Sequence, residues 1–217
     1  MEEIPGRQLR SALPRDLAAI RDMLTRAFHD DPQFAWLMPS ESSRPARLGR
    51  FFGTLLRSEG FGLAVIDVVD FGSEIAGAAV WFPPGTWPPP IARQVRALPG
   101  YVRAFGRRTG AATHLVNLAA RVHPTTGHWY LACIGVEPSE QGKGVGAALL
   151  RLRLEVCDAQ GAAAFLESSK PSNVQLYAHF GFVAGSPLPL PPGAPEITPM
   201  TRAPRPAATL PRTGPCP

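Results

Sequence analysis

The chain lacks any apolar run approaching the ~20 residues needed to span a bilayer, which excludes a conventional membrane helix. Its opening residues, MEEIPG, are acidic and without the apolar stretch of a secretory leader. Cysteine is scarce: Cys133, Cys157 and Cys216 have neither paired nor metal-ligand spacing. A reduced, cytoplasmic protein without bound metal is the expectation, with Cys133 a core strand residue and not a nucleophile. No internal repeat is present. Acid is absent from one long stretch: between Ile75 and Val136 there is no Asp or Glu, although Arg93, Arg96, Arg103, Arg107, Arg108 and Arg121 fall there. A basic stretch can mark a nucleic-acid surface. Here Arg96, Arg103 and Arg107 recur at helical spacing, which suits a solvated helix face. Attraction of a polyanionic cofactor or an acidic substrate is the other use of such charge. Neither a nucleic-acid nor a membrane partner is expected.

What is present is enough for one sizeable core. The chain has 217 residues, 45% of them hydrophobic. Residues 1–202 read as one domain, and the proline-dense tail, 203–217, as disordered. Arg7 to Ala12 can form a first strand. Pro14 suits a helix start, with Leu17, Ile20, Leu24 and Phe28 on one face. Asp30-Asp31-Pro32 reads as a break, and Leu48, Phe52, Leu55 and Leu56 as a second amphipathic helix. Leu63–Val69 and Ile75–Phe82 read as a hairpin around Asp70-Phe-Gly-Ser. Residues 83–127 form an excursion with helical stretches at Ile91–Arg108 and Ala111–Val122, either a helical pair packed on the sheet or a substrate-side wall. Then come a strand (His128–Val136), a helix (Val145–Gln160), a strand (Ala163–Ser168), a short helix (Pro171–His179), a strand opening at Phe182–Ala184 and a last strand at Glu196–Arg202.

The most informative segment is Trp129 to Leu150, WYLACIGVEPSEQGKGVGAALL. A strand feeds the glycine-rich loop Gln141-Gly-Lys-Gly-Val-Gly146, and helix formers follow at once. Backbone N–H groups at such a helix start can close on an anion, which the helix dipole also favours. Gly142, Gly144 and Gly146 remove the Cβ atoms that would block the approach. Gly142-x-Gly144-x-x-Ala147 satisfies the dinucleotide fingerprint, and Glu167 stands near the expected ribose-binding position. However, five residues including Pro138 separate Val136 from Gly142. Only roughly 50 foldable residues follow Ala147, too few to complete a doubly wound sheet.

Gln141-x-x-Gly144-x-Gly146 after a strand resembles the acetyl-CoA pyrophosphate loop of the GNAT N-acetyltransferases, Q/R-x-x-G-x-G/A. A second block follows: Phe165-Leu-Glu-Ser-Ser-Lys-Pro-Ser-Asn173, then Leu176-Tyr-Ala-His-Phe-Gly-Phe182. The chain most resembles the puromycin N-acetyltransferase-like branch, whose blocks read W-x-L-A-x-x-G-V-x-P, F-L-E-x-S and N-x-x-x-Y. The similarity is good over 128–184, weak over 7–84 and not claimed for 85–127.

The resemblance implies an α/β GNAT fold: a mixed, mostly antiparallel sheet with a splayed strand pair, flanked by helices. It also implies acetyl transfer from acetyl-CoA to a primary amine of a small molecule, drug-like or metabolite, by direct attack in a ternary complex. A CoA-binding regulatory module without turnover is the alternative, and a dinucleotide-dependent oxidoreductase a further one. The pantetheine arm would pair with Ile134, Gly135 and Val136, and a glycine inside a strand often marks such close backbone approach. The pyrophosphate would bind at Gln141, Gly142, Lys143, Gly144, Val145 and Gly146, although Lys143 can equally be solvated. Tyr177 matches the tyrosine that protonates the leaving sulfur, or else is a buried structural residue. Asn173, one helical turn earlier, matches a cofactor contact or else caps the helix. An alkylammonium is protonated at neutral pH, so a base is useful. Glu167, Tyr130, His128 and a water relay are the candidates. Tyr130 stands where several relatives carry a Glu or His base. Monomer and homodimer are both compatible with the sequence.

Overall fold

The computed structural model describes residues 6–205. Its strands are β1 (Arg7–Ser11), β2 (Val65–Phe71), β3 (Glu74–Phe82), β4 (His128–Val136), β5 (Ala163–Ser168), β6 (Val183–Ala184) and β7 (Thr198–Arg202). They form one seven-stranded sheet in the order β1-β2-β3-β4-β5-β7-β6. Every neighbouring pair is antiparallel except β4–β5. That parallel pair needs a crossover, supplied by helix α6 (Val145–Ala159). One βαβ unit therefore sits in an otherwise antiparallel sheet, not the doubly wound arrangement of a dinucleotide fold.

Two cores lie on the two faces. On one, α1 (Leu17–Ala27) buries Ile20, Met23 and Leu24, and α3 (Arg44–Thr54) buries Leu48 and Phe52. On the other, α6 buries Val145, Leu149, Leu150, Leu154 and Cys157 against Trp81, Trp129 and Leu131. Fully burying a Leu or Phe side chain stabilises by roughly 1.5–3 kcal/mol, so these helix faces hold the layers together. Arg153 of α6 adds a buried bidentate pair with Asp67 of β2, at 2.7 Å. Asp158 at the end of α6 clasps Arg202 of β7, both bonds at 2.7 Å.

Two strand glycines are explained by these helices. A Cβ on Gly77 would lie 2.6 Å from Val145 Cγ1, and one on Gly135 would lie 2.7 Å from Leu24 Cδ2. So the close approach expected at Gly135 is made by α1. A β-bulge also re-phases β4: Val80 faces Cys133 while Trp81 faces Leu131, leaving Ala132 as the extra residue. Tyr130, Ala132 and Cys133 all turn toward the first core, and Ile134 toward the second.

Several boundaries differ from the sequence reading. Asp30-Asp31-Pro32 is no mere break, because Asp31 caps a short helix, α2 (Pro32–Leu37), accepting from the N–H groups of Gln33 and Phe34. Asp before Pro is itself a helix-start signal. The β2–β3 pairing runs on to Phe71–Glu74, so the turn narrows to Gly72-Ser73. After α3 the chain continues as one wide π-type turn, Leu55–Gly60. In the excursion α4 (Ile91–Phe105) stops at Gly106, whose φ of 52° leaves the helix, and α5 (Thr109–Val122) follows a tight turn. Helix α7 (Pro171–His179) matches expectation. Most of the proline-rich tail, 206–217, lies outside the described residues.

Candidate active site

The cleft begins where β4 and β5 part. Their pairing runs from His128–Ala163 to Leu131–Leu166 and ends there. Beyond it β5 pairs with β7 through Ser168, and β4 pairs with β3 through Val136. Ile134, Gly135 and Val136 thus have a strand on one side only, and the peptide groups directed into the gap, apart from the Val136 carbonyl that Gln141 holds, are available to an extended ligand.

The glycine loop stands at the open end of this gap. Gly142 and Gly144 have φ of 77° and 83°, conformations that favour glycine, and a Cβ on either would meet nothing within 4 Å. The space that side chains would fill is open for a ligand. Gly144 is the N-cap of α6, and Ala148 N–H is bonded to its carbonyl at 3.0 Å. The N–H groups of Val145, Gly146 and Ala147 precede that bond and have no intrahelical acceptor. Val145 offers only backbone, since its side chain is buried against β3. Gln141 Nε2 donates to Val136 O at 3.1 Å and braces the loop on the strand. Lys143 is not simply solvated: its Nζ lies 2.9 Å from Glu140 Oε1, and Arg7 holds the other oxygen. Arg7, then Lys143, hold the Glu140 carboxyl below the usual carboxylate range.

Helix α7 carries Tyr177 and Asn173 to the cleft, where both line one cavity with Ile134. Asn173 is not the cap; Lys170 holds that position, and Asn173 N–H donates to Lys170 O at 3.0 Å. Tyr177 is buried, with its ring edge-on to Phe182. Burial, then the fields of Cys133 and Asp31, push its phenol up, so at neutral pH it holds its proton. Cys133 lines the same cavity, its thiol pushed up to about 12 by burial, which leaves little thiolate at neutral pH.

The cavity has a volume of about 630 Å³ and is walled mainly by aromatic and aliphatic groups of α2, α3, α4 and α5. Asp31, Glu59 and Glu167 reach it, and among the described residues no Lys, Arg or His lines it. Asp31 Oδ1 takes the α2 N–H groups, and its Oδ2 accepts from Ser169 Oγ at 2.6 Å. Glu59, in the wide turn, stands close to Tyr101 of α4; burial raises its pKa, with Tyr101 opposing. Glu167 of β5 stands close to Tyr130 of β4, whose phenol is pushed well above its ordinary value by burial and then by Glu167. Tyr130 therefore keeps its proton at neutral pH and is a poor base. His128 sits one step further out, linked to Glu167 through His123.

The excursion packs on the body and walls the cavity at once. Ala97, Gly100 and Ala104 of α4 face α3; a Cβ on Gly100 would lie 2.2 Å from Thr54 Oγ1. The large residues look away from that contact. Ile91, Val95 and Leu98 are 77%, 63% and 54% exposed, and they rim the cavity mouth. Arg96, Arg103, Arg107, Arg108 and Arg121 are exposed, as a solvated face requires. Glu59 and His123 were not singled out from the sequence; Asp31 was read only within a break, although Asp before Pro is a cap signal, and Ser169 only as part of the second motif block.

The sequence profile of the acetyltransferase (GNAT) family matches residues 19–182, most of the chain and all of the cleft. This chain belongs to the GNAT acetyltransferase family. It is 29% identical over 171 residues to an uncharacterized N-acetyltransferase of Schizosaccharomyces pombe, covering 74% of this chain and 68% of that one. A Corynebacterium glutamicum structure, described as histone acetyltransferase HPA2 and related acetyltransferase, superposes with a TM-score of 0.72 at 29% identity, covering 94% of this chain and 99% of that one. The Drosophila melanogaster polyamine N-acetyltransferase, which forms N-acetylagmatine, shares the fold: TM-score 0.62, 14% identity, 91% and 99% coverage. The narrower likeness to the puromycin-acetylating branch is carried by the motifs of 128–184 alone.

The protein is therefore an N-acetyltransferase by family, and acetyl-CoA is the family's acetyl donor. The open space at Gly142 and Gly144 and the free helix start suit its pyrophosphate, and the one-sided edge of β4 suits its amide-bearing arm. Among the described residues, no group of three or more His, Cys, Asp or Glu side chains is placed to hold a metal ion. No described helix is long and apolar enough to cross a membrane.

Proposed function

We propose that this protein transfers the acetyl group of acetyl-CoA to a primary amine of a small molecule, by direct attack in a ternary complex within a domain spanning 1–202. The observation that carries this reading is one cavity, apolar and acid-lined, that reaches Tyr177 and the parted edge of β4. The acceptor is a cation with an apolar body. Its hydrocarbon part is taken by the aromatic walls, and its ammonium by carboxylates in a space without basic side chains.

Acetyl-CoA brings an activated thioester. Ile134, Gly135 and Val136 align its arm, while the loop from Gln141 to Gly146 anchors the phosphates through backbone N–H groups. Glu167 takes the proton of the ammonium, with Tyr130 orienting it. Tyr177 donates its phenolic proton to the departing sulfur, and Asn173 fixes the arm one turn away. General acid–base assistance of this kind contributes typically ~10²–10⁴-fold. Glu59, with Tyr101, holds the acceptor further out.

Screening an amine library for CoA release, with mass spectrometry of the products, tests the reading. Acetylated apolar primary amines are expected. Tight CoA binding with no product from any amine would replace it with a non-catalytic CoA-binding role.

A further inference from the structure

His123 caps the C-terminus of α5, opens the connection to β4 and belongs to none of the motifs above. Its ring is enclosed by aromatic faces. Trp87 stacks on it in parallel with centroids 3.7 Å apart, and Phe165 and Tyr130 tilt against it at 4.4 and 4.6 Å. Its Nε2 faces Glu167 Oε1 at 3.3 Å, and its Nδ1 faces His128 Nε2 at 3.1 Å. His128 Nδ1 lies 2.8 Å from the exposed carbonyl of Thr126. His123 Nε2 and Glu167 Oε1 are both buried, and neither makes a hydrogen bond of good geometry to any group, each other included.

These contacts dictate a proton count. A carbonyl can only accept, so His128 Nδ1 carries a proton. The His123–His128 contact needs one proton to keep two lone pairs from facing each other, and a proton between Glu167 and His123 would give both unpartnered atoms a partner. Three protons therefore sit on the three groups. Two neutral imidazoles account for two. The third offsets the carboxylate charge. The aromatic faces around His123 favour that proton on its ring, as they favour any cation. Burial, the largest influence on His128, lowers its pKa and returns the charge inward.

We propose that Glu167, His123 and His128 form a proton relay, neutral overall and holding one transferable proton, that joins the acceptor cavity to the surface at Thr126. It rests on Glu167 being the base. His123 does not reach the cavity and acts through Glu167 as a positioning residue. When an acceptor ammonium gives up its proton, an N–H bond breaks and an O–H bond forms on Glu167. In answer, the His123 Nδ1 proton passes to His128 Nε2, and the His128 Nδ1 proton leaves to water. One positive charge leaves the amine and one enters solvent. The groups facing the relay are Tyr130 from β4 and, over Tyr130, Cys133 and Glu59. Trp87 lines the cavity as well as stacking on His123, so an acceptor packed on Trp87 bears on the relay.

The proton count is testable without any substrate. Imidazole ¹⁵N shifts and the Glu167 carboxyl ¹³C shift, measured on the full chain at neutral pH, should give three protons on the three groups. In Glu167→Gln the side-chain amide supplies one gap, and His123 should be a neutral ring. Two protons in the wild type, with Glu167 ionised and both rings neutral, overturns the relay whatever the enzyme does. Kinetically, His123→Gln keeps hydrogen-bonding groups at both gaps but cannot pass a proton. It should lower single-turnover kcat/KM on the order of 10²-fold at neutral pH. Acetyl-CoA affinity should hold, and the deficit should shrink as pH rises and the free amine becomes abundant. A pH profile that superposes on the wild type overturns the proposal. His123→Ala should regain rate with added imidazole. If the wild type acetylates no amine, the function proposed above fails, whereas the proton count still stands or falls on the spectra.

Discussion

The cofactor side of the cleft and its acceptor side are built by different means. The cofactor side is local. Strand β4, the glycine loop, α6, β5 and α7 follow one another from 128 to 179, and the phosphate contacts proposed for the loop are made by backbone. The proposed acceptor side is gathered from α2, the wide turn at 55–60, α4, α5 and the end of β5, and it offers side chains. Backbone binding needs a geometry that few residue types provide, hence a recognisable spacing. Side-chain binding needs only that some carboxylate and some aromatic ring arrive at the right place, and many segments can deliver them. So the first side is shared across a family, while the second is free to define an acceptor.

The sharpest test of the local side is Gly144→Asp. It introduces a Cβ and a negative charge into open space where pyrophosphate is proposed to sit. Acetyl-CoA affinity by calorimetry should fall on the order of 10²-fold or more. Asp tolerates the left-handed region better than most residues and caps helices well, so the melting temperature should move little. Wild-type affinity in this variant would break the assignment of the loop.

Tyr177→Phe comes next and joins the two sides. Packing on Phe182 is kept and only the proton donor is lost. Single-turnover rates should drop ~10²–10⁴-fold with acetyl-CoA affinity unchanged. A wild-type rate would leave solvent as the acid.

On the acceptor side, Glu59→Gln should raise KM for cationic acceptors about tenfold and leave kcat and acetyl-CoA affinity alone. The sign of its stability effect is informative. Burial raises the Glu59 pKa in the folded state, so the folded protein binds this proton more tightly than the unfolded chain. Stability is thus lost as pH rises through that range. Glu59→Gln should remove this slope and leave the melting temperature at neutral pH equal or higher. A clear drop would mark Glu59 as structural and weaken the comparison.

The smallest functional effect is expected for Gly135→Ala. Its Cβ meets α1, not the cleft, so overpacking should cost roughly 1–3 kcal/mol and lower the melting temperature while acetyl-CoA affinity stays near wild type. A selective loss of acetyl-CoA binding would return Gly135 to the cofactor.

How much was legible follows the same division. The limits of β4, β5 and α7 could be read to the residue, because apolar runs bounded by Pro, Gly and polar residues leave few alternatives. The glycine loop at the start of α6 was legible for the reason already given. The reason for Gly135 was not, since a glycine in a strand announces a close approach without naming what approaches. The separate candidates Glu167, Tyr130 and His128 were legible as residue types. Their union into one network was not, because it passes through His123, which no motif marks.

By itself, the sequence determined the order of the elements, the glycine spacing at the start of α6 and the family. These are properties of neighbouring residues, set by backbone sterics and by periodicity. Tertiary structure alone decided where β4 leaves β5, which way the bulge at Ala132 turns the side chains of β4, and which carboxylates share a cavity. Those outcomes depend on contacts between residues far apart in the chain, such as Ser169 with Asp31 and His123 with Glu167. No local pattern encodes such contacts, because packing specifies them only once both partners are in place.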